Sequence, residues 1–172
     1  MWRRLAASAV IAGLLLLPSL APASAGDQAW GQFRGQIVIS DVLLAPSFGS
    51  DRVMITSLNR MRRTVVQEVT GFWRLHLVAF LDEPAAGEML HVVTRDLTTP
   101  EDRDRARRGE LPPLRVFETP SDPGQKILHL NDLVLTEGMG FKPGHEYGVT
   151  VESDPEDGGK QDVYAQGVVT LR

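Results

Sequence analysis

The sequence contains no cysteine. Disulfides, thiolate zinc sites and cysteine nucleophiles are therefore excluded. Aromatic residues are scarce, at 6%, too few to line the sugar cleft that paired carboxylates need for glycoside hydrolysis. Excess positive charge is also lacking. Lys and Arg number 18 against 22 Asp and Glu, a formal net charge of −4, whereas binding phosphate backbones calls for a basic surface. The densest basic stretch, Arg103, Arg105, Arg107 and Arg108, is interleaved with Glu101, Asp102, Asp104 and Glu110, so its field largely cancels. Nucleic acid is not an expected partner. No serine sits in a Gly-x-Ser-x-Gly elbow, and the four histidines are scattered at 76, 91, 129 and 145. The absence of these signatures points away from an enzyme.

What is present is globular composition. Hydrophobic residues make up 42% and charged residues 23% of 172 residues, which suits one domain of ordinary size. The first 25 residues read as a secretory signal peptide. Arg3 and Arg4 supply the positive start, Leu5 to Leu17 is an uncharged apolar run broken by Pro18, and Ala23-Ser24-Ala25 is a small-x-small cleavage site. The run is shorter than the roughly 20 apolar residues of a membrane span. Cleavage after Ala25 removes two arginines, leaving 16 basic and 22 acidic residues, net −6. The expectation is an exported chain, in the periplasm, on the cell surface or outside, with residues 26–172 as its single domain and no transmembrane span.

Most of that domain has the period-two alternation of strands. Seven are expected: Phe33–Ser40, Phe72–Leu81, Met89–Val93, Leu114–Glu118, Lys126–Leu130, His145–Glu152 and Val163–Leu171. In the second, Trp73, Leu75, Leu77, Ala79 and Leu81 share one face. Two stretches break the rhythm. Ser50 is a good N-cap, and Met54, Leu58 and Met61 repeat at helical spacing, predicting a helix over about 51–62 inside an insertion at about 50–63. Thr64–Val69 is expected to pair with the next strand through a Thr70-Gly71 turn. In the charged loop at about 97–113, Thr99 caps, Pro100 fits the first helical position and Gly109 is a natural stop, predicting a short solvated helix.

The segment Phe141-Lys142-Pro143-Gly144-His145-Glu146-Tyr147 resembles the tyrosine corner of immunoglobulin-like and fibronectin type III-like sandwiches. The resemblance implies a buried Tyr147 whose hydroxyl bonds backbone a few residues upstream. It covers about 11 residues and implies fold rather than function. The expected fold is all-β: an immunoglobulin-like antiparallel β-sandwich of about seven strands, closed around Trp73 and Tyr147, with a helical insertion after the first strand.

Three features bear on function. The outer face of the Phe72 strand carries Phe72, Val78 and Phe80, too apolar for solvent. Either the Met54-Leu58-Met61 stripe covers them or they form an interaction face. Asp154, Glu156, Asp157 and Asp162 surround Gly158-Gly159 in a hairpin loop, carrying oxygens that calcium favours, but in a spacing unlike the calcium-loop pattern. His76 and His129 are out of phase with the core residues around them, so both are expected to face outward on neighbouring strands, where zinc would still need further ligands. The expected function is a non-catalytic binding or adaptor module whose partner is another protein or a cell-envelope component, using loops, an outer face or a free edge such as Val163–Leu171. The alternatives are a calcium- or zinc-dependent module or enzyme on the same scaffold, or a structural envelope component.

Overall fold

A computed structural model describes residues 26–44, 48–153 and 162–172. Residues 1–25, expected to be a signal peptide, and residues 154–161, expected to lie in the acidic hairpin loop, are outside the described residues. The chain is mostly β. Among the described residues, eight strands form one mixed, curled sheet, accompanied by three α-helices. The helices are α1 (Asp27–Phe33), α2 (Asp51–Met61) and α3 (Pro100–Arg107). The strands are β1 (Gln36–Ser40), β2 (Val65–Val66), β3 (Trp73–Phe80), β4 (Met89–Asp96), β5 (Arg115–Pro120), β6 (Ile127–Leu135), β7 (Glu146–Ser153) and β8 (Val163–Leu171). Their order is β5-β4-β7-β8-β1-β3-β6, with β2 beside β8. No helix among the described residues is long and apolar enough to cross a membrane.

The sheet is not uniformly antiparallel as expected, because β1 and β2 both run parallel to β8. The β1–β8 junction consists of one residue pair, Gln36 with Gln166. There the backbones come close: a Cβ on Gly167 would lie 3.0 Å from the Ile37 carbonyl oxygen and 3.1 Å from its Cβ. Gly167 thus permits the contact that joins the three strands β6-β3-β1 to the four strands β5-β4-β7-β8.

Strand β3 explains the interior. Trp73, Leu75, Leu77 and Ala79 point into the main core, where they meet Leu90, Val92, Tyr147, Val149 and Val169. Val78 and Phe80 point the other way, into a second core with Val38, Ala29, Phe33, Met54 and Leu58. Helix α2 starts where the cap predicts, with the Ser50 side chain accepting the Val53 N–H. Burying an aromatic side chain such as Phe80 is worth about 2–3 kcal/mol, so the outer face of β3 is itself a source of stability. Helix α3 also forms as its signals predict, capped by Thr99 and ending before Gly109 at φ 71°. It buries no residue.

The expected tyrosine corner forms. Tyr147 is fully buried, and its hydroxyl accepts the Lys142 backbone N–H at 2.8 Å. Phe141 packs edge-on against it, with ring centroids 5.0 Å apart. Trp73 is equally buried and donates its Nε1–H to the Arg172 carbonyl at 3.1 Å.

Three expectations are corrected. The first strand starts later than Phe33, because Ala29 and Phe33, four residues apart, form the buried face of α1. Phe33 therefore joins Phe80 in the second core, ring centroids 5.0 Å apart, and does not share a face with Ile37. Thr64–Val69 does not form a hairpin with β3. Thr70 and Gly71, at φ 56° and 89°, do make a tight turn, closed by Val69 N–H to Phe72 carbonyl at 2.7 Å, but β2 pairs in parallel with β8. Finally, Val163–Leu171 is no edge. It is flanked by β7 on one side and by β1 and β2 on the other. The ends of the strand order are β5 and β6.

Candidate binding cleft

The turn that precedes β3 borders a concavity. Gly71 N–H donates to the Glu68 carboxylate at 2.9 Å, and Glu68 N–H donates to the Arg172 carbonyl at 2.5 Å. These bonds fasten the turn to the end of β8 and fix where Phe72 emerges. Arg74, two residues on, leaves the same outer face and lays its guanidinium 5.6 Å from the Phe72 ring centroid, a cation–π contact. Asp41, just past β1, stands across from them and accepts from Arg63 Nε at 3.0 Å. Asp41, Val66, Gln67, Val69, Phe72 and Arg74 line a cleft of about 260 Å³. Val69 is 54% exposed, as are Val42 and Leu43 next to Asp41, at 49% and 60%. Apolar rim, aromatic floor and both signs of charge coincide here. Arg74 is held only loosely, by Asp132 at 3.7 Å with both side chains more than half exposed, so its donors are available at little energetic cost.

Of the expected interaction face, Phe72 alone reaches the cleft. Val78 and Phe80 have no exposed surface, because α1 and α2 cover them. The helical cover weighed for that face is the arrangement found, and these two residues present nothing to a partner.

The two histidines do lie on neighbouring strands, β3 and β6. His76 does leave the sheet on the outer side, but it is 3% exposed rather than solvated. Its Nδ1 accepts the Asp132 backbone N–H at 3.3 Å, which occupies that nitrogen. A register shift between β3 and β6, around Leu75 to Leu77, brings Asp132 to it. His129 lies on the adjacent strand, opposite Val78. Its Nδ1 is buried without a partner among the described residues, and burial holds its pKa below 6.5. No group of three or more His, Cys, Asp or Glu among the described residues is placed to hold a metal. Asp162 is exposed, with its N–H on the Ser153 hydroxyl at 3.2 Å. Asp154, Glu156 and Asp157 lie outside the described residues, so the calcium expectation there has no structural counterpart to describe.

Two polar clusters were not anticipated from the sequence. Asp96, at the end of β4, takes the Thr98 hydroxyl at 2.6 Å and N–H at 3.0 Å on one oxygen. Its other oxygen lies 2.8 Å from His145 Nδ1. Burial pushes the Asp96 carboxyl upward, but the Thr98 bonds and His145 outweigh it and hold the pKa below 3.8. The Thr98 hydroxyl in turn accepts the Glu146 N–H at 3.0 Å, so the cluster ties the loop before α3 to the start of β7. The second cluster joins β4 to β7. Arg95 grips Glu152 with two nitrogens, at 2.6 and 3.2 Å, and Thr150 donates to the same carboxylate. Glu152 is 2% exposed, and a buried carboxylate is tolerated only with such compensation. The sequence signal was the out-of-phase polar residue on each strand, which local pattern alone does not pair.

Comparison with known protein families, curated proteins and solved structures yields no match.

Proposed function

We propose that this chain is an exported binding or adaptor module, that its domain is an immunoglobulin-like sandwich, and that its partner, another protein or a cell-envelope component, docks on the cleft at Phe72 and Arg74. The single observation behind the binding reading is the open aromatic–cation pair beside exposed Val42, Leu43 and Val69. Arg and aromatic residues dominate the energetics of protein recognition because they bury large area while keeping donors in place. The lining offers a carboxylate, an amide and a guanidinium around apolar walls, groups suited to holding a ligand in register.

The sandwich reading is supported by the one-pair junction between β1 and β8, by the shared core of β3 with β4, β7 and β8, and by the corner hydrogen bond of Tyr147. Two layers facing across Trp73 and Tyr147 account for all three. Export is supported by the charged start, apolar run and small-x-small site of residues 1–25.

The test is crosslinking and affinity capture of the exported chain in its own host, with Arg74→Ala run in parallel. The expected result is a specific partner that the wild type retains and Arg74→Ala loses about tenfold. A partner retained equally by both would remove the cleft from the account.

A further inference from the structure

We propose that Asp51 is the receptor for the amino terminus created by leader removal, so that cleavage itself locks α1 onto α2. This rests on the reading that the chain is exported and cut after Ala25. The geometry is specific. The Gly26 nitrogen lies 2.5 Å from Asp51 Oδ1, across 25 residues of sequence, in partly buried surroundings. The other oxygen, Oδ2, accepts the Gln28 N–H at 3.2 Å. The Gly26 carbonyl accepts the Trp30 N–H at 2.7 Å as the first bond of α1. Thus the residue that follows the small-x-small site is the N-cap of α1 and already faces a carboxylate from α2.

The chemistry changes on cleavage. Hydrolysis of the Ala25–Gly26 amide by a leader peptidase places the oxygen of water on the Ala25 carbonyl, leaving a carboxylate. The Gly26 nitrogen departs as an amine and takes up a proton as an ammonium. A neutral amide N–H on Asp51 becomes a charged donor on the same oxygen, and charge-assisted bonds are about twice as strong as neutral ones. The new charge also sits at the positive end of α1, where it would be unfavourable without an anion beside it. Of the other charges on the packed elements, Lys126 Nζ is engaged by Asp27 at 2.8 Å and lies 4.8 Å from the Trp30 ring centroid. Asp51 is the carboxylate that bonds the Gly26 nitrogen. The locked helix carries Ala29 and Phe33, which cap the second core beside Met54 and Leu58.

The test uses the chain secreted with its own leader. Its amino terminus is first sequenced, and the α-amino group is then titrated by nuclear magnetic resonance at Gly26. The expected result is a start at Gly26 and an α-amino pKa raised about one unit above the ordinary 7.7–8.0, returning to that range in Asp51→Asn. A product that begins elsewhere or keeps its leader overturns both the export reading and the proposal. A start at Gly26 with an unshifted α-amino group overturns the proposal alone. Since Asp51→Asn also alters the first turn of α2, a second measurement compares uncleaved and cleaved chains in urea, for the wild type and for Asp51→Asn. Cleavage should favour folding about fivefold in the wild type and not in Asp51→Asn. An equal effect of cleavage in both backgrounds contradicts the proposal.

Discussion

Tyr147 shows how one hydroxyl fixes a strand entry. It accepts the Lys142 N–H in partly buried surroundings, with the Tyr147 side chain itself fully buried. Tyr147→Phe keeps the ring and its contact with Phe141 but strands that N–H, which costs about 1–2 kcal/mol. Urea denaturation should show the lower midpoint with an unchanged slope, and an unchanged midpoint would mean the bond contributes nothing. Two titrating residues make a second prediction at this scale. Asp96 has a folded-state pKa below 3.8, so its contribution is complete above the unfolded value and fades as pH falls through the folded one. His129 has a folded-state pKa below 6.5; protonation favours the unfolded chain, so stability declines as pH falls from about 6.5. His129→Leu should flatten the upper part of that acid decline, and Asp96→Asn the part below about pH 4. Melting temperatures measured from pH 7 to 3 would reveal the two windows, and overlapping curves for wild type and variants would contradict them.

Among elements, α2 was readable from local chemistry and α1 was not. Ser50 and the Met54-Leu58-Met61 spacing announce a helix, and both its cap and its buried face follow. In α1 only Ala29 and Phe33 are buried, and Phe33 also fits an alternating run, so the strand pattern after it absorbed it. The alternation placed β3, β4, β7 and β8 well because each has a face in one core. It could not assign neighbours. Val163–Leu171 is long and uncharged within, qualities that suit a strand paired on both sides, whereas β5 ends the order with Arg115, Glu118 and Pro120. The candidate site was legible only in Phe72; Asp41 and Val66 reach it through tertiary placement that no local spacing encodes. The role of α2 as a cover has a direct test. Leu58, fully buried against Val78 and Phe80, should cost about 2–5 kcal/mol on change to alanine. The variant should also bind a hydrophobic dye more strongly, and a neutral Leu58→Ala would show that α2 is not holding the second core.

For the whole molecule, the parts divide into a scaffold and the proposed site. The main core holds β3, β4, β7 and β8 together, the polar clusters tie β4 and the loop after it to β7, and β1 reaches them at Gly167. The turn at Val69 to Phe72 stands at the margin of this framework, anchored through Glu68 and Trp73 to Arg172. A rigid backing with a half-buried aromatic and a loosely paired arginine suits the proposed binding role. The most direct measurement replaces Phe72 with a photoreactive phenylalanine analogue in the full chain and irradiates it in the native host. The account predicts one discrete adduct from position 72, and none when the same analogue replaces exposed Val116 on β5. No adduct at position 72, with one formed from position 116, would contradict it.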